Sequence, residues 1–140
     1  MLAKVGVKVN ALIQTRAKYF AKILGPGYNT SFFLLGWTPA TYDAHNMLIN
    51  LMAKRTGKGR GDYNSGGYSN PRIDALVTEI QTETDKEKRG AELAEALKIV
   101  KEDVPTIPLH QQVLVWATRD NVELVQKADD FFDLRYVKMK

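Results

Sequence analysis

A chain of 140 residues, 44% hydrophobic and 26% charged, has the size and composition of one ordinary globular domain. Its net charge of +4 is small and its basic residues are interspersed with acids, which argues for a solvated mixed-charge surface rather than an acidic partner. The absence of cysteine excludes disulfides and thiolate metal sites, and no apolar run approaches the roughly 20 residues that cross a bilayer.

The opening MLAKVGVKVNALIQ lacks the compact apolar core and small-residue cleavage site of a signal peptide. Val5, Val7, Val9, Ala11 and Ile13 alternate with Gly6, Lys8, Asn10 and Leu12, which predicts a strand with almost nothing before it. A chain cut from within a fold and a C-terminal piece of a longer chain are both open at this point. Thr15 can cap a following helix with Ala17, Phe20, Ala21 and Leu24 on one face, stopped by Gly25-Pro26-Gly27.

Phe32 to Leu35 then form a continuous apolar strand core, the pattern of a strand buried on both faces in a parallel sheet. Ligands in open α/β sheets bind beyond the carboxyl ends of such strands, which places Gly36, Trp37 and Thr38 where a ligand would lie. Asp43 can cap the next helix, whose Ala44, Met47, Leu48 and Leu51 recur at helical spacing. For Asp43, capping and ligand contact are both open. For Trp37 the alternatives are core packing and a flat face that clasps a ligand. The succession strand, helix, strand, helix predicts parallel pairing with crossover helices.

Lys54 to Asn70 carries too many glycines for a regular element and reads as a surface loop. Asn70-Pro71 opens a helix with Ile73, Leu76, Val77 and Ile80 as its buried stripe. Thr84 and Glu87 form a capping box for another, with Leu93, Ala94, Leu97 and Val100 inward and Pro105 ending it. Thr106 to Trp116 is extended, Arg119-Asp120-Asn121 a turn and VELV a short strand, while the tail FFDLRYVKMK has no obvious partner.

Catalytic patterns are missing. His45 and His110 stand far apart and outside any HExxH pair, no G-x-S-x-G elbow occurs, and Asp129, Asp130 and Asp133 lack calcium-loop spacing. The chain is expected not to be an enzyme and to carry no cofactor or metal. The basic loop Lys54–Arg60, with Tyr63 and Tyr68 near it, offers an alternative reading as a nucleic-acid-binding module, but it is neither a P-loop nor part of a recognition fold.

SFFLLGW, the Asp-x-x-Asn helix start, N-x-x-x-YSNPRIDAL, ETDKEKR and EDVPTIPLHQQ, in this order, resemble the extracytoplasmic solute-binding proteins of peptide and nickel ABC importers. The resemblance covers nearly the whole chain and matches only the C-terminal part of that longer family. It implies an α/β fold, the C-terminal portion of a two-lobed periplasmic-binding-protein fold with a parallel or mixed sheet flanked by helices. Residues 1–105 would belong to the second lobe and 106–140 would return towards the first, the N-terminal lobe being the missing partner. It implies non-catalytic capture of a small solute or short peptide, delivery to a membrane permease, an extracytoplasmic or periplasmic location, and no nucleic acid. Ligand-facing residues would be Gly36, Trp37, Thr38 and Asp43, with Asn64 and His110 as weaker candidates. Peptide-binding members carry an aspartate for the ligand ammonium two to four residues after this tryptophan. Here Thr38-Pro39-Ala40-Thr41 carries no acid, so either Asp43 substitutes or the ligand is not a free-amino peptide.

Overall fold

Helices and turns dominate the computed structural model, which describes residues 2–25, 30 and 32–140. The chain divides into two units, Met1–Leu34 and Leu35–Lys140. In the first, the strand expected from Val5 to Ile13 does not form. Leu2–Val5 is a single 3₁₀ turn, closed by bonds from Gly6 N to Ala3 O and from Val7 N to Leu2 O, and the chain then runs exposed, without regular structure, to Thr15. Apolar alternation creates a candidate strand, but a strand exists only against a neighbour that takes its backbone groups. Among the described residues none does.

Helix α1 (Arg16–Leu24) follows, with Thr15 at its N-cap position but no capping bond from the hydroxyl. The face with most contact is Tyr19, Phe20 and Ile23, rather than Ala17 and Ala21, which are exposed. Gly25 ends the helix, its N–H reaching Ala21 O. The Pro26-Gly27 part of the expected stop lies outside the described residues.

In the second unit, α2 (Ala44–Met47) begins at Asp43, whose Oδ1 accepts from His45 N at 2.8 Å, so the cap expected from the sequence is made. The helix widens into a π-helical turn over Leu48–Met52, with Ala53 N bonding Leu48 O. The loop that follows is anchored rather than loose. Gly61 N donates to Ile49 O at 2.8 Å and Tyr63 N to Asn50 O at 3.1 Å, so the loop caps the last carbonyls of the helix, which have no partner within it. Gly61 has φ +66° and stands against Ala53 and Arg55 backbone, where only a residue without Cβ fits.

Helix α3 (Pro71–Thr82) starts as expected, with Asn70 accepting from Arg72 N and Pro71 in the first turn. Ile73, Leu76, Val77 and Ile80 are each no more than 1% exposed, and each such side chain contributes about 1.5–3 kcal/mol by burial. Helix α4 (Lys86–Asp103) is capped by Asp85, which accepts from Lys88 N, and not by the predicted Thr84–Glu87 box. A carboxylate one residue later reaches the same kind of orphan amide and also suits the positive helix end. Its buried stripe is Leu93, Ala96, Ile99 and Val100, whereas Ala94 and Leu97, expected inward, are exposed. Fully buried Ala96 belongs to the one core that Leu48, Met52, Ala53 and the α3 stripe also fill. On the surface, Arg72 ties α3 to α4 with a two-pronged bond to Glu95 (2.7 and 2.8 Å).

Val104 ends α4 in the left-handed region at φ +47°, before Pro105. From there Thr106 to Trp116 forms neither helix nor ladder, with Ile107, Leu109, Val113 and Val115 between 66% and 84% exposed. The turn at Arg119 closes through Val122 N to Arg119 O. Strand β1 (Val122–Leu124) pairs antiparallel with β2 (Val137–Met139), Glu123 opposite Lys138, so the tail has a partner after all. Trp116 stacks on Phe132 at 5.4 Å, and its Nε1–H donates to Asp130. Among the described residues this is the only sheet, and no parallel pair is formed.

Candidate functional site

Trp37 is half-buried and held from two sides. Its Nε1–H donates to Asn46 Oδ1 at 3.0 Å, and its ring meets Tyr63 edge to face, centroids 5.0 Å apart at 64°. Helix α2 supplies Asn46 and the loop cap on that helix supplies Tyr63, so the same hydrogen bonds that order the loop also order the indole. A polar tether and an edge contact together fix the orientation of the ring. Gly36 and Thr38 beside it are exposed, and nothing lies within 4 Å of where a Gly36 Cβ would stand. Among the described residues no backbone group of Gly36, Trp37 or Thr38 has a hydrogen-bond partner, which leaves the main chain there open.

Asp43 is engaged on both oxygens. Besides its cap to His45 N, Oδ2 accepts from Arg89 Nη2 at 2.7 Å, both side chains being about 30% exposed. Burial, the largest single influence, pushes its carboxyl up, yet the His45 amide and the Arg89 guanidinium together hold it below the usual range. Asp43 is thus a charged cap already paired. His45 donates its Nε2–H to Val77 O, the only role open to a ring nitrogen facing a carbonyl. Thr41, Asp43, His45, Asn46, Ile49 and Arg89 line an open depression of about 230 Å³.

Asn64 is 4% exposed and saturated by backbone: Nδ2 donates to Ala53 O and Tyr68 O, and Oδ1 accepts from Tyr68 N. It shapes the loop behind Tyr63. His110 is exposed, in the segment between α4 and β1. In the basic loop, Arg60 is tied to Asp74 and Thr78, and Lys54 N donates to Asp74 Oδ1. Sequence reasoning missed Asn46, Tyr63 and Arg89. The need of a half-buried indole N–H for an acceptor was a usable signal for Asn46, whereas nothing local links Asp43 to a residue 46 positions away. Among the described residues no group of three or more His, Asp or Glu is placed to hold a metal, and no helix is long and apolar enough to cross a membrane.

Similarity to known proteins is to a class of binding proteins. The chain is 30% identical over 89 residues to the oligopeptide-binding protein OppA of Bacillus subtilis (strain 168), an overlap covering 64% of this chain and 15% of that protein. It is 30% identical over 111 residues to heme-binding protein A of Haemophilus influenzae, covering 79% of this chain and 19% of that one. An uncharacterized lipoprotein of Mycobacterium tuberculosis (strain CDC 1551 / Oshkosh) matches at 35% over 49 residues, 35% of this chain and 9% of the lipoprotein. The chain therefore spans less than a fifth of the length of these curated relatives. The two with a named role are named as binding proteins. No protein-family profile matches the chain. No solved structure matches it.

Proposed function

We propose that this chain is part of the second lobe of an extracytoplasmic solute receptor serving an ABC importer, and that it performs no chemistry. A solute, a short peptide or a molecule of similar size, would lie against Trp37 and pair with the free main chain of Gly36–Thr38 in the manner of an added strand. Capture would proceed by closure of this lobe on a first lobe, followed by delivery to a membrane permease. In that whole receptor the apolar extended segments would find their strand neighbours in a parallel or mixed sheet, with residues 1–105 in the second lobe and 106–140 leading back to the first.

The observation that carries this reading is the fixed indole beside an unpaired backbone edge, in a chain similar to an oligopeptide-binding and a heme-binding protein. The apolar side chains left exposed between Ile107 and Val115 support it, since a whole receptor would cover them. The test is the full-length protein, purified without refolding, with its bound solute identified by mass spectrometry and located by crystallography. The solute is expected against Trp37, and Trp37→Ala is expected to weaken its binding by about tenfold or more. A solute seated away from Gly36–Thr38, or unaffected by Trp37→Ala, overturns the reading.

A further inference from the structure

The side chains around the depression next to Trp37 are unequally supplied with partners. Its one carboxylate, Asp43, has both oxygens engaged, by His45 N and by Arg89 Nη2. His45 has its Nε2–H on Val77 O. The donors are not so engaged. Arg89 reaches Asp43 through Nη2 and Ile80 O through Nε, and its Nη1 hydrogens have no partner among the described residues. Asn46 uses Oδ1 on the Trp37 indole, and among the described residues neither its Nδ2 amide nor the Thr41 hydroxyl has a hydrogen-bond partner. Ile49 adds an apolar wall. A recess with surplus N–H and O–H groups, one of them on a guanidinium, matches a group that only accepts hydrogen bonds.

We propose that this depression is a carboxylate-binding subsite, with Arg89 and the Asn46 amide as its donors. The inference rests on the reading of Trp37 as a ligand wall, because Asn46 links the two: one amide oxygen holds the indole and the nitrogen beside it faces the same solute. The subsite selects a solute with an acidic group, and it disfavours an ammonium group, because both Asp43 oxygens are already engaged by His45 N and Arg89 Nη2. Like-charge repulsion from Asp43 limits the affinity for a lone anion, so removing that charge strengthens it.

The test is solution NMR on the isotopically labelled 140-residue chain, following the Arg89 guanidinium, the Asn46 side-chain amide and the Trp37 indole N–H. Sodium acetate, sodium chloride and methylammonium chloride are titrated at constant ionic strength. Acetate is expected to shift the Arg89 and Asn46 signals saturably, with chloride and methylammonium inert. Arg89→Gln is expected to weaken the acetate response by about tenfold and Asp43→Asn to strengthen it several-fold. Should Arg89→Gln fail to fold, Asp43→Asn carries the test alone. No saturable response, an equal response to chloride, or an acetate affinity unchanged by both substitutions overturns the proposal. An Arg89 response with a silent Trp37 indole leaves the subsite standing and removes Trp37 as ligand wall. A silent Arg89, in a protein whose full-length form holds its solute on Trp37, removes the subsite alone.

Discussion

Asn64 and Tyr68 are joined by a reciprocal pair of bonds: the Asn64 amide nitrogen donates to Tyr68 O at 2.7 Å, and its oxygen accepts from Tyr68 N at 3.0 Å. The side chain acts as a strand would, satisfying both backbone groups of one residue, and a third bond to Ala53 O ties it to the end of the π-helical turn. Asn64→Ala leaves these groups unpaired where water has little access. We expect a loss of about 2–3 kcal/mol in urea unfolding, larger than for any exposed loop residue. Asn64→Asp fares no better, because a carboxylate has no hydrogens for the two carbonyls. A loss under about 0.5 kcal/mol in either variant would show that the loop does not need this residue.

Gly59 and Gly61 both have positive φ, but only Gly61 is crowded. A Cβ on Gly61 would stand 2.4 Å from Ala53 O and 2.7 Å from Arg55 N, while Gly59 faces open space. Gly59→Ala therefore costs the conformational penalty alone, about 1–2 kcal/mol. Gly61→Ala adds a backbone collision and is expected to cost at least about 3 kcal/mol. Thermal denaturation of the two variants side by side checks the ordering, and equal losses would contradict it.

Val104 is β-branched, 58% exposed and held at φ +47°. Its side chain gains little from burial while its backbone sits in a region that such residues avoid. Replacement by Gly or Asn, the usual residues at this place after a helix, is expected to stabilise by about 1 kcal/mol. An unchanged or lowered melting temperature in both variants would mean that the strain is offset by contacts of the valine.

Tyr68 gives a pH signature. Burial, followed by its hydrogen bond to Asp103, pushes the phenol up from 10.0 to about 12. The folded state therefore keeps the phenolic proton at a pH where the unfolded chain has lost it. The resulting stability is complete below pH 10 and declines as pH rises towards about 12. Urea unfolding across that window should show a steeper decline for the native chain than for Tyr68→Phe. Identical slopes would sever the link between Tyr68 and Asp103.

Elements whose determinants lie within a few residues were legible in the sequence. The Asp43 cap, the Asn70-Pro71 helix start and the buried stripe of α3 stand where periodicity and capping chemistry put them. Errors arose where two residues compete for one task, as Thr84 and Asp85 do for the N-cap of α4. Strand expectations were of another kind: Val5 to Ile13 and Thr106 to Trp116 have strand-like composition, but pairing depends on a neighbour that composition does not name. Trp37 could be singled out in the sequence by its place after Gly36 and the apolar run Phe32 to Leu35. The Tyr63 ring against it and the Arg89 partner of Asp43 were not legible, because both arrive through tertiary packing.

The bonds from Gly61 N to Ile49 O and from Tyr63 N to Asn50 O alter how the glycine-rich run behaves in time. By composition it is the segment expected to exchange its amide hydrogens fastest. Those two amides, however, open only when the end of the helix opens, so deuterium uptake at Gly61 and Tyr63 should be slow and should track that of Met52 and Ala53. The loop and the helix end then form one cooperative unit, and the indole of Trp37, resting on Tyr63, loosens only when that unit does.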